Sequence, residues 1–385
     1  MIEKSKVPKS FYEKRKLPQP RSEFWPEDAG ELRGLLEGAD VVPRVLVGDG
    51  QHLRTPVIGA RTFDVIRTER CNRVISVDRE SKIVRVEAGM RWGDLQAELA
   101  ERGLSLERYR LCPATATVGG LLSRFHPVHR ELWDGDIRTG CVALSAASGA
   151  SDYRYIAAPR KASGPDLRWL YIGAEGFAGA ILDVSLVAWQ PADARLFAWK
   201  LDSIADAAAI MSGLWDRGIK PSWSYYTTYK LNPDELFVAV HGPARILDAV
   251  SKALRLVSDL DFAEAGADNV AELRSKLEAS HPDRRLLTTS RRTMAGAFST
   301  RDLAGVVSAL PAFVENVTIT NWTRHHAQAF VRYAKGKTLS EFPAGISARA
   351  LDVRPVLDDE AIHWPHSARA LKSLLDPDHV LAVGP

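Results

Sequence analysis

An α+β fold in two successive parts is predicted for this 385-residue chain by three observations. Glycine-bearing segments recur in order at strand exits: GDGQHL at 48–53, AGMRWGDL at 88–95, PATATVGGLLS at 113–123 and GPDLRWLYIGAEGFAGAI at 164–181. β-Branched runs that read as a hairpin stand beside single amphipathic helices, and helices and strands alternate in the second region. The glycine-rich pattern then stops at Gln190 and Pro191, which marks a domain boundary. An apolar content of 45% over this length supplies a sizeable core.

Residues 1–24 carry Lys4, Lys6, Lys9, Lys14, Arg15, Lys16 and Arg21 among several prolines. That composition predicts a basic arm, either solvated or resting on a partner subunit. The first domain spans 25–190. Leu32, Leu35 and Leu36 lie at helical spacing, and VVPRVLV at 41–47 is a strand running straight into GDGQHL. RVISVD (73–78) and KIVRVEAG (82–89) form a hairpin around three polar residues. Trp92, Leu95 and Leu99 mark one face of a helix that ends near Gly103. From Leu111 to Gly149 small residues dominate and helical periods are few, so coil and short strands are expected there. A short approach (DLRWLYIG), a glycine turn and a strand (AILDVSLVAW) close the domain.

The second domain, 191–345, reads as α+β, with helices expected over 203–217, 244–258, 267–279 and 301–314. Its strands are expected over 235–241, 286–289, 316–322 and 328–333. Residues 346–385 form a C-terminal segment packing back towards the first domain, with a helix stopped by Asp376 and Pro377.

The charge balance, 51 basic against 48 acidic residues, argues against a nucleic-acid or acidic-membrane partner. Cys71, Cys112 and Cys141 show no CxxC or Cys/His ligand spacing, so ordinary thiols and no metal centre are expected. The N-terminus has no signal-like apolar run, and no stretch nears the roughly 20 apolar residues of a membrane span. The expected location is cytoplasmic.

A strand followed by GDG can hold a pyrophosphate, because main-chain N–H groups converge on an anion where no Cβ intervenes. Taken alone it is equally a tight turn: GDGQHL is neither the GxGxxG dinucleotide fingerprint nor a Walker A loop. PATATVGGLLS adds threonine hydroxyls and paired glycines, and GAEGFAGAI is a third such turn. Their order over about residues 26–190 resembles the FAD-binding domain of the vanillyl-alcohol oxidase / p-cresol methylhydroxylase flavoproteins (PCMH-type). LKSLLDPDHVLAVGP is similar to the C-terminal segment many members carry. Within the family, the size and second domain most resemble the FAD-binding subunit of bacterial glycolate oxidase.

The resemblance implies a two-part PCMH-type FAD-binding domain, an α+β cap (substrate) domain, and a flavin that oxidises a small 2-hydroxy acid or alcohol. It assigns Gly48, Asp49, Gly50, Gln51 and His52 to the pyrophosphate. Pro113, Thr115, Thr117, Val118, Gly119, Gly120 and Ser123 line the second FAD loop, and Glu175, Gly176, Gly179 and Ile181 support the adenosine or diphosphate end. Covalent members often carry histidine directly after the glycines, where this chain has Gln51, so noncovalent FAD is expected. RFHPVH at 124–129 departs from the small residues of relatives. Implied partners are a flavoprotein or iron–sulfur subunit, through which the chain would lie peripheral to the inner membrane.

Hydride transfer from an alcohol needs a proton acceptor, and an organic acid needs a cation for its carboxylate. NWTRHHAQAFVRY at 321–333 is the densest candidate, with Arg324, His325 and His326 as the expected catalytic groups. A continuous strand would place Arg324, His326 and Arg332 on one face, whereas a hairpin turning at 323–326 would break that parity; a solvated turn with a basic tip is the plainer alternative. Tyr225, Tyr226 and Tyr229 read as packing residues, Arg284 and Arg285 as solvated, and His363 and His366 as surface or interface histidines. A noncatalytic FAD-binding or assembly subunit of a glycolate-oxidase-like complex is the competing reading.

Overall fold

The computed structural model describes residues 12–13, 18–37, 42–50, 62–106, 112, 114–123, 137–149, 151–157, 166–228, 234–266, 293–320, 322–337, 350–355, 366–375 and 381. They fall into two compact units. The first comprises the described residues of Met1–His126, Asp136–Gln190 and Asp359–Pro385, and the second those of Pro191–Asp358.

In the first unit, β1 (Glu23–Phe24), β2 (Arg44–Val47) and β3 (Asp64–Arg67) form a parallel sheet in the order β1-β3-β2. Helix α1 (Ala29–Glu37) buries Leu32, Leu35 and Leu36, the stripe expected from their spacing. β4 (Val74–Asp78) and β5 (Ile83–Glu87) form the expected hairpin. They continue into a five-stranded antiparallel sheet, β4-β5-β8-β6-β7, with β6 at Cys141–Ala147, β7 at Asp152–Tyr155 and β8 at Ala180–Val187. Helix α2 (Trp92–Glu101) buries Trp92, Leu95 and Leu99 in the same core as Val84, Val86, Val184 and Leu186.

The stretch from Leu111 to Gly149 is more regular than expected. It holds two short helices, α3 (Val118–Ser123) and α4 (Ile137–Gly140), and the seven-residue β6. Helices of one turn show no period, and β6 has buried residues on both faces, so neither pattern was visible.

The second unit is one eight-stranded antiparallel sheet, in the order β12-β9-β11-β10-β14-β15-β13-β16. Its strands are β9 (Ala194–Leu201), β10 (Trp223–Thr227), β11 (Asp234–His241), β12 (Phe262–Ala265), β13 (Thr293–Ser299), β14 (Val314–Thr320), β15 (His326–Tyr333) and β16 (Ala350–Pro355). Helices α5 (Ile204–Asp216), α6 (Ala244–Leu254) and α7 (Thr300–Ser308) share a core with Leu236, Val238, Val317 and Ile319, side chains of one sheet face. Ser203 caps α5 by accepting the Asp206 amide at 3.3 Å. Each buried Ile or Leu of that helix contributes roughly 1.5–3 kcal/mol by leaving water. The expected elements at 267–279 and 286–289 lie outside the described residues. β16 falls in the stretch read as a C-terminal segment yet pairs with β13. The helix α8 (His366–Leu375) packs Leu371 and Leu375 on the first unit's core, and Leu381 bridges to Arg44 there.

All three cysteines are free and buried, and burial pushes the Cys71 thiol up to about 12. Tyr12, inside the basic N-terminal stretch, is also buried, at 1% exposure. Its hydroxyl donates to Glu23 Oε1 at 2.6 Å, while Arg67 Nε donates to Glu23 Oε2 at 2.9 Å. Burial first, then the hydrogen bond to Glu23, raises the Tyr12 pKa above its ordinary value, so it is a neutral donor at physiological pH. Tyr12→Phe leaves a buried carboxylate oxygen without this donor, and a stability loss of about 1–3 kcal/mol is expected. A lower urea midpoint at unchanged slope checks it.

Candidate cofactor site

β2 ends at Val47, whose carbonyl accepts the Thr68 amide at 3.0 Å, and the chain turns through Gly48–Gly50. Gly50 is buried with φ +77°, a conformation that costs an L side chain about 1–2 kcal/mol. Gly48 is required for another reason. A Cβ there would stand 2.2 Å from Thr117 Oγ1, so the first glycine turn lies directly on the second. No described group accepts a hydrogen bond from the amides of Gly48 or Gly50. Those amides suit an anion.

The second segment is held by main chain. Gly93 N donates to Ala114 O at 2.8 Å and Trp92 N to Ala116 O at 2.8 Å; Val118 N donates to Met90 O at 2.9 Å and Gly119 N to Ala88 O at 2.7 Å. The contact is close because of its glycines: a Cβ on Gly93 would sit 2.9 Å from the Ala114 Cβ, and one on Gly119 2.8 Å from the Ala88 Cβ. Thr117 is buried where the loop enters α3, accepting the Gly120 amide on Oγ1 at 3.2 Å and the Leu121 amide on its carbonyl at 2.9 Å. The amides of Val118 and Gly119 are thus engaged within the fold. Thr115 and Gly120 are exposed.

The third segment docks on the far end of α3. Gly173 N donates to Leu122 O at 2.9 Å and Glu175 N to Ser123 O at 2.6 Å. Glu175 (φ +49°) and Gly176 (φ +86°) turn the chain back, so that a Cβ on Gly176 would stand 3.7 Å from the Leu46 side chain in β2. Gly48, Asp49, Gly50, Thr117, Gly120, Ser123, Glu175 and Gly176 therefore belong to one cluster of turns. Gly179 and Ile181 have packing roles: a Cβ on Gly179 would meet Ala147 O at 2.4 Å, and Ile181 lies in the core within β8. Gln51, His52 and Pro113 lie outside the described residues, as does the 124–129 stretch.

One supporting group escaped the sequence reading. Arg168, in the 3-10 helix Leu167–Leu170, is buried, donates to both carboxylate oxygens of Asp166 and to the Cys141 carbonyl, and lies 4.7 Å from the Tyr155 ring centre. The hydrogen bond to Asp166 raises its pKa further. The acid-to-base spacing of two residues in GPDLRW was its sequence trace.

In the second unit, β14 stops at Thr320 and β15 starts at His326, so a turn separates them. Arg324 is consequently off the strand, while His326 and Arg332 keep a common parity on β15. Arg324 Nη2 stands 3.5 Å from Asp216 Oδ1, both side chains about 60% exposed, a pair worth little. His325 is exposed. Thr323 organises the turn: its Oγ1 accepts the amides of His325 (3.1 Å) and His326 (2.8 Å), donates to the His326 carbonyl (2.7 Å) and faces His326 Nδ1 at 3.2 Å. Tyr225 and Tyr226 are buried in β10, the latter donating to Asp234, which agrees with a packing role. Tyr229, Arg284, Arg285 and His363 lie outside the described residues. No cluster of His, Cys, Asp and Glu able to hold a metal occurs among the described residues.

Comparison with known proteins defines the class first. Residues 20–150 match the family model of the FAD binding domain. The chain carries an FAD-binding domain, FAD is its cofactor, and its fold is α+β. Among curated proteins, alkyldihydroxyacetonephosphate synthase of Caenorhabditis elegans is 24% identical over 182 residues, 44% of this chain and 30% of that enzyme. L-gulonolactone oxidase of Mus musculus is 34% identical over 104 residues, 27% of this chain and 23% of that enzyme. The matches thus span less than a third of either relative. Two solved structures of alkyldihydroxyacetonephosphate synthase share the fold with TM-scores of 0.70 and 0.72 at 15% and 16% identity, covering 95% of this chain and 77% and 76% of theirs.

Gly48→Ala drives a methyl group into Thr117 and is expected to lower bound flavin at least tenfold while the far-UV circular dichroism stays native. Gly50→Ala, which adds only backbone strain of about 1–2 kcal/mol, is expected to retain more flavin. Absorbance of the purified variants near the flavin maximum, relative to protein, distinguishes them.

Proposed function

We propose that the protein is an FAD-dependent oxidoreductase acting on CH–OH groups, oxidising a small 2-hydroxy acid or alcohol. The observation that carries the proposal is the docking of two separate glycine turns on the two ends of α3, the first on Thr117 and the third on Leu122 and Ser123, in a chain whose first part is an FAD-binding domain. When bound, FAD supplies the hydride acceptor. The amides of Gly48, Asp49 and Gly50, with Gln51 and His52, hold the pyrophosphate. Thr115, Gly120 and Ser123 line the second loop, and Glu175 and Gly176 close the far end. With Gln51 at the position where covalent members carry histidine, the cofactor is held noncovalently.

The substrate is handled by the turn before β15. Arg324 suits a carboxylate, which its guanidinium can bind bidentately. His326 suits the hydroxyl proton. The Thr323 hydroxyl stands 3.2 Å from its Nδ1 and orients the ring, and the neutral imidazole is the state a general base requires. His325 supplies a second imidazole beside it. Electrons leave to O2 or to a partner flavoprotein or iron–sulfur subunit, and the protein works in the cytoplasm.

The exposure of Arg324 and His325 favours a second reading, a noncatalytic FAD-binding subunit of a glycolate-oxidase-like complex. Acid precipitation of the yellow protein is expected to leave the colour in the supernatant. Anaerobic addition of glycolate, lactate or a primary alcohol is expected to bleach the flavin. His326→Asn should slow bleaching about 10²–10⁴-fold at unchanged flavin content. A flavin that every such compound leaves coloured supports the accessory role instead.

A further inference from the structure

The five-stranded sheet of the first unit ends in β7, and no described strand lies beyond it. Its pairing with β6 fixes which main-chain groups point outward. Ser148 N donates to Ser151 O at 2.9 Å, and residues 148 and 151 continue the register in which Ala147 faces Asp152 and Ala146 faces Tyr153. Hydrogen-bonded and non-bonded pairs alternate along an antiparallel ladder. Tyr153 and Tyr155 therefore turn their N–H and C=O groups towards β6, while Asp152 and Arg154 turn theirs away. Residues 152, 154 and 156 are all exposed. Among the described residues, Asp152 and Arg154 have no hydrogen bond outside the ladder, apart from the ion pair of Asp152 with Arg33 at 2.9 Å.

Beside this open edge lies apolar surface. The 3-10 helix at 167–170 runs along β7, as the contact of Arg168 with the Tyr155 ring and the stacking of Tyr171 on Tyr153 (5.4 Å) show. It leaves Leu167 39% and Trp169 52% exposed. An unpaired edge bordered by large apolar side chains is a template for another strand.

We propose that the partner is a second copy of this chain, joined two-fold across antiparallel β7 strands with Tyr153 opposite Tyr153. The register follows from two constraints. Outward-pointing residues hydrogen-bond only to outward-pointing residues, which excludes every pairing of 152 or 154 with 153 or 155. Among the remaining registers, pairing 152 with 152 or 154 with 154 sets like charges face to face. Pairing 152 with 154 sets Asp152 against Arg154 twice by symmetry, and Arg33 backs each carboxylate. This surface is independent of the reaction proposed above.

Sedimentation equilibrium on the full-length, flavin-loaded protein is expected to show a monomer–dimer equilibrium. Arg154→Asp and Asp152→Arg should each weaken it by about tenfold or more, since each single change turns two attractive pairs into two repulsive ones. The double variant, with the charges exchanged, should restore it. Arg154→Pro, which removes an outward N–H and leaves the β6 ladder intact, should abolish the dimer at unchanged flavin absorbance. A monomer at all concentrations, or a dimer indifferent to both single charge reversals, overturns the proposal.

Discussion

The main-chain seam between residues 88–93 and 114–119 is the contact on which the first unit depends. It sets Thr117 beneath Gly48 and starts α3, whose other end receives Gly173 and Glu175. Each such hydrogen bond adds only about 0.5–1.5 kcal/mol net, but a buried amide left without its acceptor costs about 1–3 kcal/mol. Small residues at 88, 93, 114 and 119 are what allow the approach. The glycines that sequence order associates with a ligand thus divide into two kinds: those at 93 and 119 let strand and loop touch, and the amides of those at 48 and 50 meet no acceptor among the described residues.

The second unit uses a different economy of contacts. Its helices and one sheet face share an apolar core, and the polar groups are gathered in turns and on strand parity. At the turn before β15, one hydroxyl satisfies two amides and a carbonyl and stands 3.2 Å from the His326 ring nitrogen Nδ1.

Elements with several turns or clear alternation were legible in the sequence. α1, α2 and α5 show buried stripes at 32/35/36, 92/95/99 and 207/210/214, and the β4–β5 hairpin is bounded by polar residues. What escaped has physical causes. α3 and α4 are shorter than the period that would reveal them, and β13 is built from Thr, Met, Ala, Gly, Phe and Ser, which carry little strand signal. Tyr12 was hidden in a lysine-rich stretch whose average composition says nothing of one buried phenol. At the candidate site, the glycine turns were visible from their order, whereas the Thr117 contact with Gly48 joins residues far apart in sequence and no local pattern announces it. The turn at 322–325 breaks the strand parity that would have kept Arg324 beside His326 and Arg332.

The three cysteines lend themselves to a use unrelated to catalysis. Thiolate is the reactive form of cysteine, and burial holds the Cys71 thiol at a pKa of about 12, with its sulfur directed at the Pro26 carbonyl. Cys112 and Cys141 are likewise enclosed. In the native protein alkylating reagents meet three enclosed thiols, and on opening of the first unit they meet three accessible ones. Mass-resolved alkylation thereby becomes a built-in reporter of first-unit opening, one that needs no introduced label and leaves the second unit, which has no cysteine, silent.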